Sequence, residues 1–281
     1  MKKCRLLLIL ASVMILAGMI LFGVTMSMNG WDFSRLNTVN FVEETYELNG
    51  EISDILVVTD TADIVIAPAD GEKTRIVVYE KENMRHTVTV KDGVLSVNRE
   101  NQRKWEDYIA FTVESPKISL YVPEGVYGRI QVNASTGDVS IESITAQELT
   151  VLLSTGDITL QKCVCTGEIR LEATTGRMNV TETECADFVS DASTGSVELT
   201  NMIAGEKISI ERTTGDVRLI LSDAEDISVK TSTGDISGIF LTGKQFDAKT
   251  STGEIRIPDS ESGGKCVMET TTGDIVIEIQ K

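Results

Sequence analysis

Ser135-Thr136-Gly137-Asp138 returns as Ser154-Thr155-Gly156-Asp157, Thr174-Thr175-Gly176-Arg177 and Ser193-Thr194-Gly195-Ser196. It returns again as Thr213-Thr214-Gly215-Asp216, Ser232-Thr233-Gly234-Asp235, Ser251-Thr252-Gly253-Glu254 and Thr271-Thr272-Gly273-Asp274. The eight glycines are spaced 19, 20, 19, 20, 19, 19 and 20 residues apart. A period this strict marks a solenoid, in which each repeat buries its apolar face only against its neighbours.

Positions counted from each glycine reveal the rung. Seven before it stand Ile130, Leu149, Ile169, Phe188, Ile208, Ile227, Phe246 and Cys266; two after it stand Val139, Ile158, Met178, Val197, Val217, Ile236, Ile255 and Ile275. Apolar residues alternate through positions −7, −5, +2 and +4, which is a strand period and not a helical one. Each rung therefore holds two short strands meeting at the glycine, which supplies the backbone freedom for a bend. Simple alternation continued to position −1 turns Thr136, Thr155, Thr175, Thr194, Thr214, Thr233, Thr252 and Thr272 inward as a ladder of stacked hydroxyls and methyls. Eight parallel rungs at about 4.8 Å make an all-β, parallel β-solenoid roughly 38 Å long.

Upstream, Lys2, Lys3 and Arg5 precede an apolar run from Leu6 to Met28, enough to span a bilayer, and no Ala-x-Ala site follows. Residues 1–28 read as a cytoplasmic basic tip and an uncleaved membrane anchor, with the remainder outside. Trp31 and Phe33 stand where interfacial aromatics belong, and 29–49 reads as a stalk. Residues 50–134 read as a capping region. In it Ile55 to Ile66 repeat the rung with Ala62 in place of glycine, and Thr87–Val97 forms a hairpin about Asp92-Gly93. Further strands are expected at Ile76–Tyr79, Ile109–Val113 and Ile118–Val122, with the solenoid proper at 135–281.

The chain has 43 acidic and 26 basic side chains, a formal net charge of −17, and all the acids lie beyond Met28. That balance argues against nucleic acid as a partner. The acidic row at +1 (Asp138, Asp157, Asp216, Asp235, Glu254, Asp274) could hold calcium. One acid per rung is sparse for that ion, and Asp beside Gly is ordinary turn chemistry. No metal or cofactor is assigned. His86 is the only histidine and no nucleophile motif accompanies it, while Arg177, Arg218 and Arg256 are scattered, so no catalytic residues are assigned. Cys165 and Cys185 share position +9, with Cys163 nearby, within disulfide reach; Cys266 falls on a core position. The last rung, ending Ile275-Val276-Ile277-Glu278-Ile279, is expected to leave an unpaired edge inviting self-association or a partner strand.

The anchor, Asn29-Gly30-Trp31-Asp32-Phe33-Ser34, Ile118-Ser119-Leu120-Tyr121-Val122-Pro123-Glu124-Gly125 and the Ser/Thr-Thr-Gly-Asp phrases together resemble the bacterial putative-adhesin β-solenoid family. This is a domain-of-unknown-function group that includes LiaG-like membrane proteins. The resemblance implies a non-enzymatic cell-surface role with an unknown protein or cell-wall glycan as partner. The alternatives are an accessory or sensor subunit of an envelope-stress system and a polysaccharide-active enzyme.

Overall fold

The computed structural model describes residues 2–32, 40–82, 84–100, 114–260 and 262–280. The chain divides into two compact units, Met1–Asn40 with Arg103–Glu114, and Phe41–Gln102 with Ser115–Lys281. In the first, Lys2–Met28 is one helix whose stretch Ile9–Met28, 20 residues of mean hydropathy 2.4, is long and apolar enough to cross a membrane. Phe33 and the strand expected at Ile109–Val113 lie outside the described residues.

The second unit is two 12-stranded sheets facing one another across a continuous apolar core. Rung on rung, the strands pair in parallel and in register, so that Leu149 stands between Ile130 and Ile169, and Ile158 between Val139 and Met178. Like positions therefore form columns along the stack. The −7, −5, +2 and +4 columns are almost entirely buried from the Ala62 rung to the Gly215 rung.

Two further core columns, at +7 and at +9 (Ala146, Cys165, Cys185, Ala204), escape the two-strand reading. Position +6 carries Ser143, Lys162, Glu182, Asn201 and Leu221, all left-handed with φ between 49 and 53°. They make a second corner and send Ile144, Cys163, Thr183, Met202 and Ser222 into the core at +7. No single residue type marks this corner, which is why it is silent in the sequence.

The threonine ladder needs correction. Thr136, Thr155, Thr175, Thr194, Thr214, Thr233, Thr252 and Thr272 are all exposed. The last inward residue before each bend is at −3, and the corner places −2 and −1 outside in succession, interrupting the strand alternation. A bulge-like break in the pleat does this, because the glycine that follows has φ between 124 and 151°.

The proximal end is capped as a solenoid requires. Asp54–Thr61 and Asp63–Pro68 form a rung on the Gly137 rung. The hairpin His86–Lys91/Val94–Arg99, turning at Asp92 and Gly93 with positive φ, extends one sheet. Lys117–Val122, Thr74–Lys81 and Phe41–Leu48 extend the other. Phe41–Leu48 was expected in the stalk. It is instead a full edge strand, because Tyr46 and Leu48 alternate onto the core while Glu43, Thr45 and Glu47 face water.

The distal end departs most from sequence order. Lys265–Thr272 lies between Asp226–Lys230 and Gln245–Thr252, and Ile275–Ile279 between Ile236–Phe240 and Ile255–Arg256. The Gly273 rung is thus inserted beneath the Gly253 rung, which ends the stack. Ile275 and Ile277 are 0% and 4% exposed, so the edge expected on the last strand of the chain is not there. Gly263 and Gly264 permit the return crossing, since a Cβ on either would strike the carbonyl of Gly243 or Glu225.

Candidate functional site

The Ser/Thr-Thr-Gly-Asp corner forms a continuous external ridge, and its chemistry is resolved by its hydrogen bonds. Each +1 aspartate reaches along the stack and accepts the backbone N–H of the +1 residue above it. Asp138 Oδ1 takes Asp157 N–H at 2.8 Å, Asp157 Oδ1 takes Arg177 N–H at 2.8 Å, and Asp235 Oδ1 takes Asp274 N–H at 2.8 Å. Asp63 of the Ala62 rung does the same for Asp138. The acidic row is therefore a ladder in which each aspartate satisfies one backbone donor of the rung above it. Where Arg177 interrupts it, the guanidinium pairs with Asp157 at 2.9 Å instead. Glu254, on the terminal rung, has no rung above to serve and pairs with Arg256.

Beside this ridge runs a groove of about 520 Å³ that crosses the rungs from Ala62 to Gly195. Its floor is set by the −3 column, where Ala134, Leu153 and Ala173 give it an apolar base. Ser135, Ser154, Thr174 and Ser193 present hydroxyls along one wall, and Asn133, Glu172 and Asp191 line the other, with Asp60 at one end. Glu172 is partly neutralised by Arg170 at 3.0 Å, which also pairs with Glu168. At the next rung the −3 residue becomes Arg212, and the groove ends. Arg212 is 6% exposed, donates to Ser190 Oγ, and is lowered to about 10 by burial, so it is still charged at neutral pH. Carboxylates, hydroxyls and an amide over a shallow apolar floor suit a polyhydroxylated or cationic ligand.

His86 is not isolated, contrary to the sequence expectation. Its Nδ1 lies 2.7 Å from Glu80 Oε2 and its Nε2 lies 2.9 Å from Thr59 Oγ1. Glu80 Oε2 also accepts the His86 backbone N–H at 2.8 Å. The order Thr–His–Glu repeats the relay of a nucleophilic hydrolase. However, Thr59 is only 4% exposed, whereas a nucleophile has to be open to its substrate. The cluster joins three elements, Asp54–Thr61, Thr74–Lys81 and the hairpin, and this fastens the cap. The sequence hid it because Thr59 and His86 lie in one sheet and Glu80 in the other, so only the packing of the two sheets brings them together.

Cys163, Cys165, Cys185 and Cys266 are all free and buried. Cys165 registers with Ala146 and Cys185 with Ala204, so the +9 position is a small-residue core column. Burial pushes the Cys185 thiol up to about 12 and raises that of Cys165. Since the thiolate is the nucleophile, iodoacetamide at pH 8 should leave Cys165 and Cys185 unmodified in the native chain and alkylate both once it is unfolded. Peptide mapping reads this, and rapid native labelling would contradict the packing.

The fold has solved counterparts. A Bacteroides fragilis protein described as a putative adhesin matches with a TM-score of 0.53 at 17% identity, over 85% of this chain and 97% of the other. A Parabacteroides distasonis putative adhesin matches at 0.52 and 13% identity, over 87% and 98%. A P. distasonis putative lipid binding protein matches at 0.55 and 15%, over 86% and 98%. No curated protein matches the sequence. These likenesses concern architecture. The family model described as Toastrack DUF4097 matches residues 52–219 and 166–281, and the chain belongs to that family.

Proposed function

We propose that this is a non-enzymatic, membrane-anchored surface protein that holds an acidic β-solenoid outside the cell to bind a hydroxyl-rich polymer, with a cell-wall glycan as its ligand. The observation that carries this reading is the groove, which crosses five rungs at right angles to the strands, with an exposed hydroxyl on four of them and Asp60 on the fifth. Parallel rungs repeat at about 4.8 Å, so five of them offer a track roughly 20 Å long for an extended chain. The apolar helix after Lys2, Lys3 and Arg5 supports an anchor with its N-terminus inside. Family likeness to proteins described as adhesins agrees with a surface role.

The test uses the full chain in detergent with purified peptidoglycan as the probe. Cosedimentation is expected for the wild type. Ser154→Tyr with Thr174→Tyr, both exposed positions, fills the groove and should weaken retention at least about tenfold, because the wall hydroxyls and the channel are lost together. Absence of wild-type retention, or equal retention of the variant, overturns the proposal. New reducing ends in the glycan would instead favour an enzyme.

A further inference from the structure

We propose that a second copy of this chain docks end to end on the terminal Gly253 rung, through antiparallel self-pairing of the strand Gln245–Thr252. The site lies at the other end of the sheets from the cap and does not depend on the groove's ligand. Among the described residues Gln245–Thr252 pairs only with Lys265–Thr272, and Ile255–Arg256 only with Ile275–Ile279, so each is the last strand of its sheet. The apolar end beneath them is incompletely covered. Ile255, Ile257 and Leu241 are 40%, 37% and 39% exposed, and Phe246 and Ala248 are only half-buried. An edge of this kind is a template for strand addition.

The pattern of the strand selects its own copy as the occupant. Phe246, Ala248 and Thr250 face the core side, and Asp247 and Lys249 face outward, exposed and 3.3 Å apart. In an antiparallel pair centred on Ala248, Asp247 of each copy stands opposite Lys249 of the other, twice over. On the core side Phe246 meets Thr250, large against small, and Ala248 meets Ala248. A shift by two residues puts Asp247 opposite Asp247 or Lys249 opposite Lys249, which is destabilising. A shift by one moves the apolar row to the wrong face. One register is therefore specified, and it is two-fold symmetric, as a closed homodimer requires. A two-fold axis along the sheet normal reverses the stack, so the Phe41 edges of the two copies lie at opposite ends of the joined solenoid.

The experiment measures self-association of the full chain in detergent micelles by sedimentation and native mass spectrometry. Wild type should dimerise with concentration. Asp247→Lys and Lys249→Asp each turn two opposed pairs into repulsive ones, and each alone should weaken dimerisation about ten- to hundredfold. An equal mixture of the two variants, and the double exchange Asp247→Lys with Lys249→Asp, should both restore it. These side chains are exposed, so the monomer's fold is expected to survive all the changes. A monomeric wild type overturns the proposal and leaves the edge to a strand of another protein. Single variants that dimerise as tightly as wild type, or a mixture that fails to recover, overturn the stated register.

Discussion

Gly234→Val is expected to cost about 4 kcal/mol or more of unfolding free energy, and Asp235→Asn next to it less than about 1 kcal/mol. A Cβ built on Gly234 would sit 2.5 Å from the carbonyl carbon of Gly215 and closer still to its oxygen. That carbonyl is backbone of the neighbouring rung, paired on both sides, and has no rotamer by which to yield. The φ of 149° adds strain for any L side chain, more for a β-branched one. Asp235 behaves otherwise, because an asparagine Oδ1 can still accept the Asp274 N–H that Asp235 Oδ1 accepts at 2.8 Å. The charge it removes also relieves repulsion along the acidic row. Urea midpoints of the two variants read the difference, and comparable values would mean that the corners do not stack as described.

The same overlap explains the one rung whose corner is not glycine. Every corner glycine is pressed against the carbonyl of the rung beneath it: Gly137 against Ala62, Gly156 against Gly137, Gly273 against Gly234 and Gly253 against Gly273. Ala62 has no such corner beneath it, and its N–H still reaches Thr136 O at 3.1 Å. An alanine is tolerated there because the rung is the first of the column.

The period alone made the solenoid legible, since two apolar strands at fixed offsets from a glycine have few other ways to bury their faces. Counting did not reach the corners or the order of the rungs. Strand alternation fails at a corner where two successive residues face water, so simple alternation puts the threonines on the wrong side. Rung order is also invisible to a repeat, because the Gly253 and Gly273 rungs satisfy the same pattern and either could end the stack. The distinguishing signals are small. Asp274 keeps the oxygen that the Glu254 N–H needs at 2.7 Å, while Glu254, with no rung above, is free to be the longer acid. Gly243, Gly263 and Gly264 lie in the two crossings, where chain passes close over chain.

Lys244→Met is expected to destabilise this distal end by about 3–5 kcal/mol, the cost of stranding a buried charge. Lys244 stands where the outward crossing enters the terminal strand. Its Nζ lies 2.7 Å from Asp223 Oδ1 and donates to Ala224 O at 2.5 Å and Thr242 Oγ1 at 2.9 Å. The two side chains are 4% and 10% exposed. Asp223 Oδ1 also accepts the Ala224 N–H at 2.8 Å, whereas Oδ2 is buried with no partner among the described residues. Without the ammonium, the carboxylate must ionise in an apolar setting or take up a proton, and both cost free energy. The pair ties the crossing to the loop that begins the Gly234 rung, with Cys266 of the inserted rung beside it, so its loss should loosen the last two rungs before the rest. Hydrogen exchange should rise first across residues 241–279 and stay slow from the cap to the Gly215 rung. Adding Asp223→Asn removes the stranded charge and keeps an acceptor for Ala224, so the double variant should recover much of the loss. Uniform exchange along the whole stack would mean that the inserted rung is held by strand pairing alone, with no local contribution from the ion pair.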